Sequence, residues 1–184
     1  DVWTNGSNQI WYHGTLSKYY SDFKRINLSK ALPQRDFGKG FYLTTNRDQA
    51  IKWGKRRARF LRNSGITRGA DVLLVSCRID LIHQKGFKFM SFGTSPSLKW
   101  LHFLVANRLN NTENPYDVIY GLMADGHELS KTLEQFAKEK IDYKTAVARI
   151  KYDNLQTQLC LTKSTFIEEN VKMLPRKVVP FYDA

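Results

Sequence analysis

Asp36-Phe37-Gly38-Lys39-Gly40-Phe41-Tyr42-Leu43-Thr44-Thr45 is the stretch whose residue types and spacing come nearest to a binding loop. Two glycines let a backbone take positive φ or approach a ligand closely, and a cation stands between them. Two phosphate-binding patterns fail against it. A Walker loop needs Gly-x-x-x-x-Gly-Lys followed by Ser or Thr, whereas Lys39 is followed by Gly40. The dinucleotide fingerprint Gly-x-Gly-x-x-Gly lacks its third glycine here, and strand formers rather than a helix come next. Taken alone, the stretch predicts a tight turn that exposes Tyr42, and an ordinary hairpin loop is the favoured reading of it.

The other chemically capable residues are scattered. His13 ends a strand-like run beside Gly14, and a lone histidine in that setting is most often structural. His83, His102 and His127 show no metal-ligand spacing with each other or with the cysteines, so no zinc is expected. Cys77 and Cys160 lie in apolar runs, where a free cysteine behaves as a small hydrophobe; this suits a reducing cytosol and makes neither a nucleophile. Lysine and arginine total 29 against 17 acidic residues, a net charge of +12 that draws anions: nucleic acid, an acidic protein or a polyphosphate.

The elements that must position these residues read as α+β. The chain has 184 residues, enough for one domain with its own core, and no apolar run long enough for a membrane span, so a cytoplasmic location is expected. Gln9 to Gly14 reads as a buried strand, and Thr15 to Arg35 as a long loop. A helix begins after Asn46, with Ala50, Ile51, Gly54, Ala58 and Leu61 on one face and Lys52, Lys55, Arg56, Arg59 and Arg62 opposite. That basic face is by default a solvated surface, although it could also track a phosphate backbone. Asp71 to Ile79 is a buried strand. A serine-capped helix follows with Pro96 in its first turn and Leu98, Leu101, Val105 and Leu109 as its stripe, Trp100 and His102 pointing elsewhere. Later strands are expected at 116–121, 157–161 and 177–181, with helices near 128–138, after Asp142 and at 164–169.

Three pieces together carry a resemblance: the strand ending His13-Gly14, the loop Phe37-Gly38-Lys39-Gly40-Phe41-Tyr42 ahead of a helix, and Gln158 at the start of a late strand. The chain resembles the ADP-ribosyltransferases of the diphtheria-toxin and poly(ADP-ribose) polymerase lineage, whose signature is His, Tyr and Glu on three strands. Trp53, eleven residues after Tyr42, matches that lineage's second aromatic. The chain is more closely similar to an uncharacterised group of short bacterial toxin-like proteins of this fold, which stand beside a small neutralising antitoxin-like partner. The stretches shared with that group add Tyr116 to Gly121 with Ala124-Asp125, and Gln158 to Leu161.

The resemblance implies a single ADP-ribosyltransferase-like domain over residues 1–184, with a split β-sheet core and flanking helices. It implies NAD as substrate, no metal, and transfer of ADP-ribose to a protein or nucleic acid. Gly14 would offer its backbone to the nicotinamide amide, His13 would hydrogen-bond a ribose hydroxyl, and Tyr42 and Trp53 would flank the ring. Lys39 and Gly40 belong to the NAD-binding loop, with Lys30 and Arg35 as further cations near the pyrophosphate. His13, Tyr42 and Gln158 are then the catalytic positions. Gln158 departs from the lineage's glutamate: it accepts from a hydroxyl but is no general base, and losing a charge there costs ~3 kcal/mol, about a hundredfold in rate. Polymerisation is therefore not expected, and mono-ADP-ribosylation is. Glu168 and Glu169 read as surface residues, and Asp117 and Asp125 as structural. NAD hydrolysis, or binding of NAD, ADP-ribose or nucleic acid without turnover, are the competing readings.

Overall fold

The computed structural model describes residues 2–4, 8–82, 85–150 and 156–182. The protein is α+β: among the described residues five α-helices and eight strands form two sheets. The chain divides into two compact units, the first comprising Asp1–Ile26, Tyr42–His83 and Thr165–Ala184, the second Asn27–Phe41 and Gln84–Ser164. Among the described residues no helix is long and apolar enough to cross a membrane.

In the first unit the apolar run after Asp71 becomes β3 (Val72–Ile79), the central strand of its sheet. Val72, Leu73, Leu74 and Val75 are all buried, as a strand covered on both faces requires. β1 (Ile10–Leu16) runs antiparallel along one edge, placing Gly14 opposite Leu74. β7 (Val171–Met173) and β8 (Lys177–Val179), both antiparallel, share the other edge. The sequence reading expected one tail strand reaching Phe181; two short ones form instead, because Pro175 and Pro180 have no N–H to give the ladder.

α1 (Arg47–Asn63) packs on β1. Asn46 caps it, its side chain accepting the Gln49 N–H at 3.1 Å. Gln49, Ala50, Gly54 and Ala58 form its buried face, while Ile51 and Leu61 are only half-buried. Glycines set the spacing. A Cβ on Gly14 would lie 1.6 Å from the Ala50 carbonyl oxygen, and one on Gly54 would lie 2.5 Å from Val72 Cγ1. Between β1 and α1, the expected long loop carries short 3₁₀ turns at Ser17–Tyr19, Asp22–Lys24 and Leu28–Lys30.

In the second unit β5 (Val118–Leu122) lies between β4 (Phe89–Ser91), parallel to it, and β6 (Thr157–Leu161), antiparallel. α2 (Leu98–Arg108), α3 (Leu129–Ala137) and α4 (Tyr143–Arg149) belong to this unit. α2 corrects the sequence reading in two ways. Ser97 is the cap, accepting the Trp100 N–H at 3.1 Å, so Pro96 precedes the helix. The buried face is Trp100, Leu101, Leu104 and Val105, while Leu98 is exposed. Trp100 wins the core because its indole is the larger apolar body and its N–H reaches the Leu122 carbonyl at 3.2 Å.

Candidate functional site

In the first unit, His13, Gly14 and Tyr42 are brought together by β1 and β2 (Phe41–Leu43). Phe41 and Leu43 are buried, and alternation turns Tyr42, half-buried, to the opposite face. Tyr12 and Thr44 exchange both backbone hydrogen bonds, at 2.8 and 2.9 Å, in an isolated bridge. Strand alternation turns the Gly14 N–H and C=O to the same edge of β1 as those of Tyr12. The ladder would continue to Tyr42, but the Tyr42 carbonyl is engaged by the His13 ring instead, with Nδ1 at 2.7 Å.

That bond sets the chemistry of His13. A carbonyl oxygen only accepts, so Nδ1 carries the hydrogen and Nε2 of the neutral ring is an acceptor. Burial lowers the His13 pKa to about 4; the Arg57 guanidinium pushes the same way, and the Tyr42 hydrogen bond opposes. Arg57 is anchored to the same strand, donating to Thr15 Oγ1 at 2.9 Å. The Phe23 ring stands 5.9 Å from the imidazole, tilted against it. At neutral pH His13 is therefore an uncharged, oriented acceptor. Trp53 lies half-buried on α1 in the same unit.

Lys39, Gly40 and Gln158 belong to the second unit. Gln158, on β6, is buried, and its amide nitrogen donates to Asp36 Oδ2 at 2.8 Å. The same Asp36 oxygen accepts the Ala124 N–H at 2.9 Å, while Oδ1 takes Arg108 Nε at 2.6 Å within an ion pair. A carboxylate only accepts, so Asp36 fixes which end of the Gln158 amide faces it. The Gln158 carbonyl oxygen is thereby turned away as an acceptor. The loop glycines have packing roles: Gly38 takes φ +82°, and a Cβ on Gly40 would lie 2.4 Å from Cys160 Sγ. Lys39 is exposed, as are Lys30 and Arg35.

The remaining candidates stand apart from these groups. Asp117 accepts the Lys88 N–H at 2.8 Å, tying together segments 29 residues apart, and Asp125 accepts the N–H of its neighbour Gly126 at 2.8 Å, so both hold local backbone. Glu168 and Glu169 are exposed on α5 (Ser164–Asn170). Burial pushes the Cys77 thiol up to about 12, so its thiolate is disfavoured. Among the described residues no three His, Cys, Asp or Glu gather as a metal site; His83 lies outside the described residues. An open hollow of about 640 Å³ on the second unit is lined by His102, Val105, Phe136 and Asp142, none of them a candidate residue.

Residues 10–172 match the model of a family described as Protein of unknown function (DUF3990). The chain belongs to the DUF3990 family. No curated protein and no solved structure matches it. The DUF3990 match runs from the first residue of β1 into β7 and so takes in every candidate residue.

Two residues of this DUF3990 chain that bear on the site escaped the sequence reading as contributors. Asp36 was visible as the first residue of the glycine loop, but its partners Arg108, Ala124 and Gln158 are 72, 88 and 122 residues away. Arg108 sits in the last turn of α2, where a basic residue is ordinary, so nothing local marked it. The one usable signal was an acidic residue directly before an apolar one and a glycine, a position that needs a partner when buried.

Proposed function

We propose that this chain is an NAD-dependent mono-ADP-ribosyltransferase, a glycosyltransferase acting on a protein or nucleic-acid acceptor, in the role of a toxin or effector held by a small antitoxin-like partner. The observation that carries the reading is the His13–Tyr42 contact at 2.7 Å, which keeps a neutral histidine oriented beside a glycine on a strand edge. Such a histidine accepts a ribose hydroxyl proton in a hydrogen bond without adding positive charge. That matters because breaking the bond between nicotinamide and ribose C1′ leaves a cationic sugar. The Gly14 N–H and C=O supply the donor and acceptor that a carboxamide needs, and Tyr42 and Trp53 offer rings to flank the nicotinamide. In the second unit, Gln158 offers a carbonyl acceptor and Lys39 a cation for the pyrophosphate, the roles the resemblance implies. The acceptor's nucleophilic atom then bonds to C1′ and gives its proton to water or to a base of its own, since Gln158 takes none. The reading carries with it an ADP-ribosyltransferase fold with a split β-sheet core, with which two sheets and five helices are compatible.

With water in place of the macromolecule, the same cleavage makes the chain an NAD glycohydrolase. One experiment separates these readings. The purified chain is incubated in cell lysate with NAD labelled on the adenylate phosphate, beside a Tyr42→Ala variant, and samples are treated with nuclease or protease. Label on a macromolecule, lost at least a hundredfold in the variant, is the expected result. Free nicotinamide without transferred label establishes hydrolysis. NAD left intact by a folded protein overturns both and leaves a binding module.

A further inference from the structure

We infer that the hollow on the second unit binds a guanidinium-bearing ligand, whose flat cation stacks on Phe136 while its N–H fork meets the Glu139 carboxylate. The volume of about 640 Å³ is that of a small-molecule pocket, and Val105, Phe136 and Ile141 give it an apolar floor. His102 stands against Phe136 with ring centroids 5.4 Å apart, so two flat rings line the same space. α3 ends at Ala137, and α2 ends two residues before Asn110, both in the lining, which brings the negative ends of two helix dipoles to the rim. Two carboxylates, Glu139 and Asp142, stand in the lining against one ammonium, Lys140. That reverses the balance of the whole chain, where 29 cations outnumber 17 acids. Hydrogen bonds from the Thr145 side chain and N–H hold the Asp142 carboxyl below its ordinary value, so it stays ionised.

Glu139 is the residue that points to a ligand. α3 closes in a Schellman turn: the Lys140 N–H reaches the Gln135 carbonyl at 2.9 Å, and the Glu139 N–H reaches the Phe136 carbonyl at 3.0 Å. Such a turn puts the first residue past the cap in the left-handed region, where glycine is usual, and Glu139 takes φ +57° there. Beyond α2 the chain uses Asn111 at φ +47°, a residue type that tolerates this region, as glutamate does not. Among the described residues, no hydrogen bond or ion pair to the Glu139 carboxylate offsets that strain. A glutamate kept in a strained turn at the rim of an aromatic hollow is explained by what its carboxylate holds. A guanidinium lays its plane on a ring and offers two parallel N–H bonds to a carboxylate, whereas an ammonium is a point charge. An anion would gain only Lys140 and would face both carboxylates.

The inference does not depend on NAD chemistry, and its test uses none. The isotope-labelled full chain is titrated with agmatine, an aminoalkyl guanidinium, at constant ionic strength, and the amide shifts of Ala137, Glu139 and Lys140 are followed by NMR. Putrescine, with an ammonium in place of the guanidinium, and glutarate, a dianion, are the comparison probes. Agmatine is expected to saturate these shifts and to bind more tightly than putrescine. Glu139→Gly should weaken agmatine binding about tenfold, as loss of a charge-assisted pair does, and yet raise the thermal midpoint by about 2–4 °C because the strain is gone. Glu139→Gln keeps the strain and loses the charge, so binding should weaken with the midpoint unchanged. Phe136→Leu, with its fold checked by circular dichroism, should weaken binding about threefold. Lys140→Ala should tighten it. Agmatine binding unchanged by Glu139→Gln, putrescine bound as tightly, glutarate bound more tightly, or no saturable shift at these amides each overturns the proposal.

Discussion

A glutamate at position 158 would face the Asp36 carboxylate across the 2.8 Å now spanned by the Gln158 amide. Two buried carboxylates at that distance repel, and Asp36 would lose a donor, so Gln158 is the residue this site requires rather than a weakened glutamate. Gln158→Glu is expected to cost about 3 kcal/mol of unfolding free energy at pH 7, measured by urea denaturation. Adding Asp36→Asn should recover part of that loss, because an asparagine amide can donate where the carboxylate could not; simple additivity in this double-mutant cycle would sink the argument. His13 makes a second prediction. Its folded pKa of about 4 lies below the ordinary value of 6.5, so above pH 6.5 both folded and unfolded chains hold it neutral. Between those values the unfolded chain binds a proton that the folded chain refuses, and stability falls as pH falls, by of order 3 kcal/mol in all. His13→Gln should flatten the stability profile between pH 6.5 and 4, as read by urea denaturation at each pH.

At the scale of elements, β1 and α1 are joined through glycine contacts. Gly54→Ala would set a methyl 2.5 Å from Val72 Cγ1 and 3.0 Å from the Thr15 carbonyl oxygen. Helix propensity favours alanine by up to about 1 kcal/mol, yet overpacking costs typically 1–3 kcal/mol. The net expectation is a lower thermal midpoint, and a higher one would mean that α1 shifts away freely. Gly14→Ala is worse placed, at 1.6 Å from backbone, so any loss of activity in it reports on packing as well as on a ligand. This helix was legible in the sequence because Asn46, the Ala50–Gly54–Ala58 spacing and the cations all agree locally. α2 was legible as a helix but not in its orientation: Leu98 and Trp100 are both apolar, and only the distant Leu122 carbonyl decides between them. The same limit applies to the candidate site. His13, Gly14 and Tyr42 could be picked out as residue types, whereas the tautomer of His13 and the amide orientation of Gln158 depend on acceptors 29 and 122 residues away.

For the whole molecule, the α+β class was readable from the mixture of short strand-like runs and capped helices, and the division into two units was not. Each unit is assembled from separated segments, three in one and two in the other, so no composition shift marks a boundary. The order of segments also has a consequence for the chain while it is being made. β3 pairs early with β1, but its other edge is covered by β7 and β8, which follow roughly ninety residues later. At a synthesis rate of about 5–20 residues per second, the ribosome takes roughly 5–20 seconds to deliver them. Throughout that interval a long apolar strand presents a bare row of N–H and C=O groups, a template on which two nascent copies could pair wrongly and a natural landing place for a chaperone.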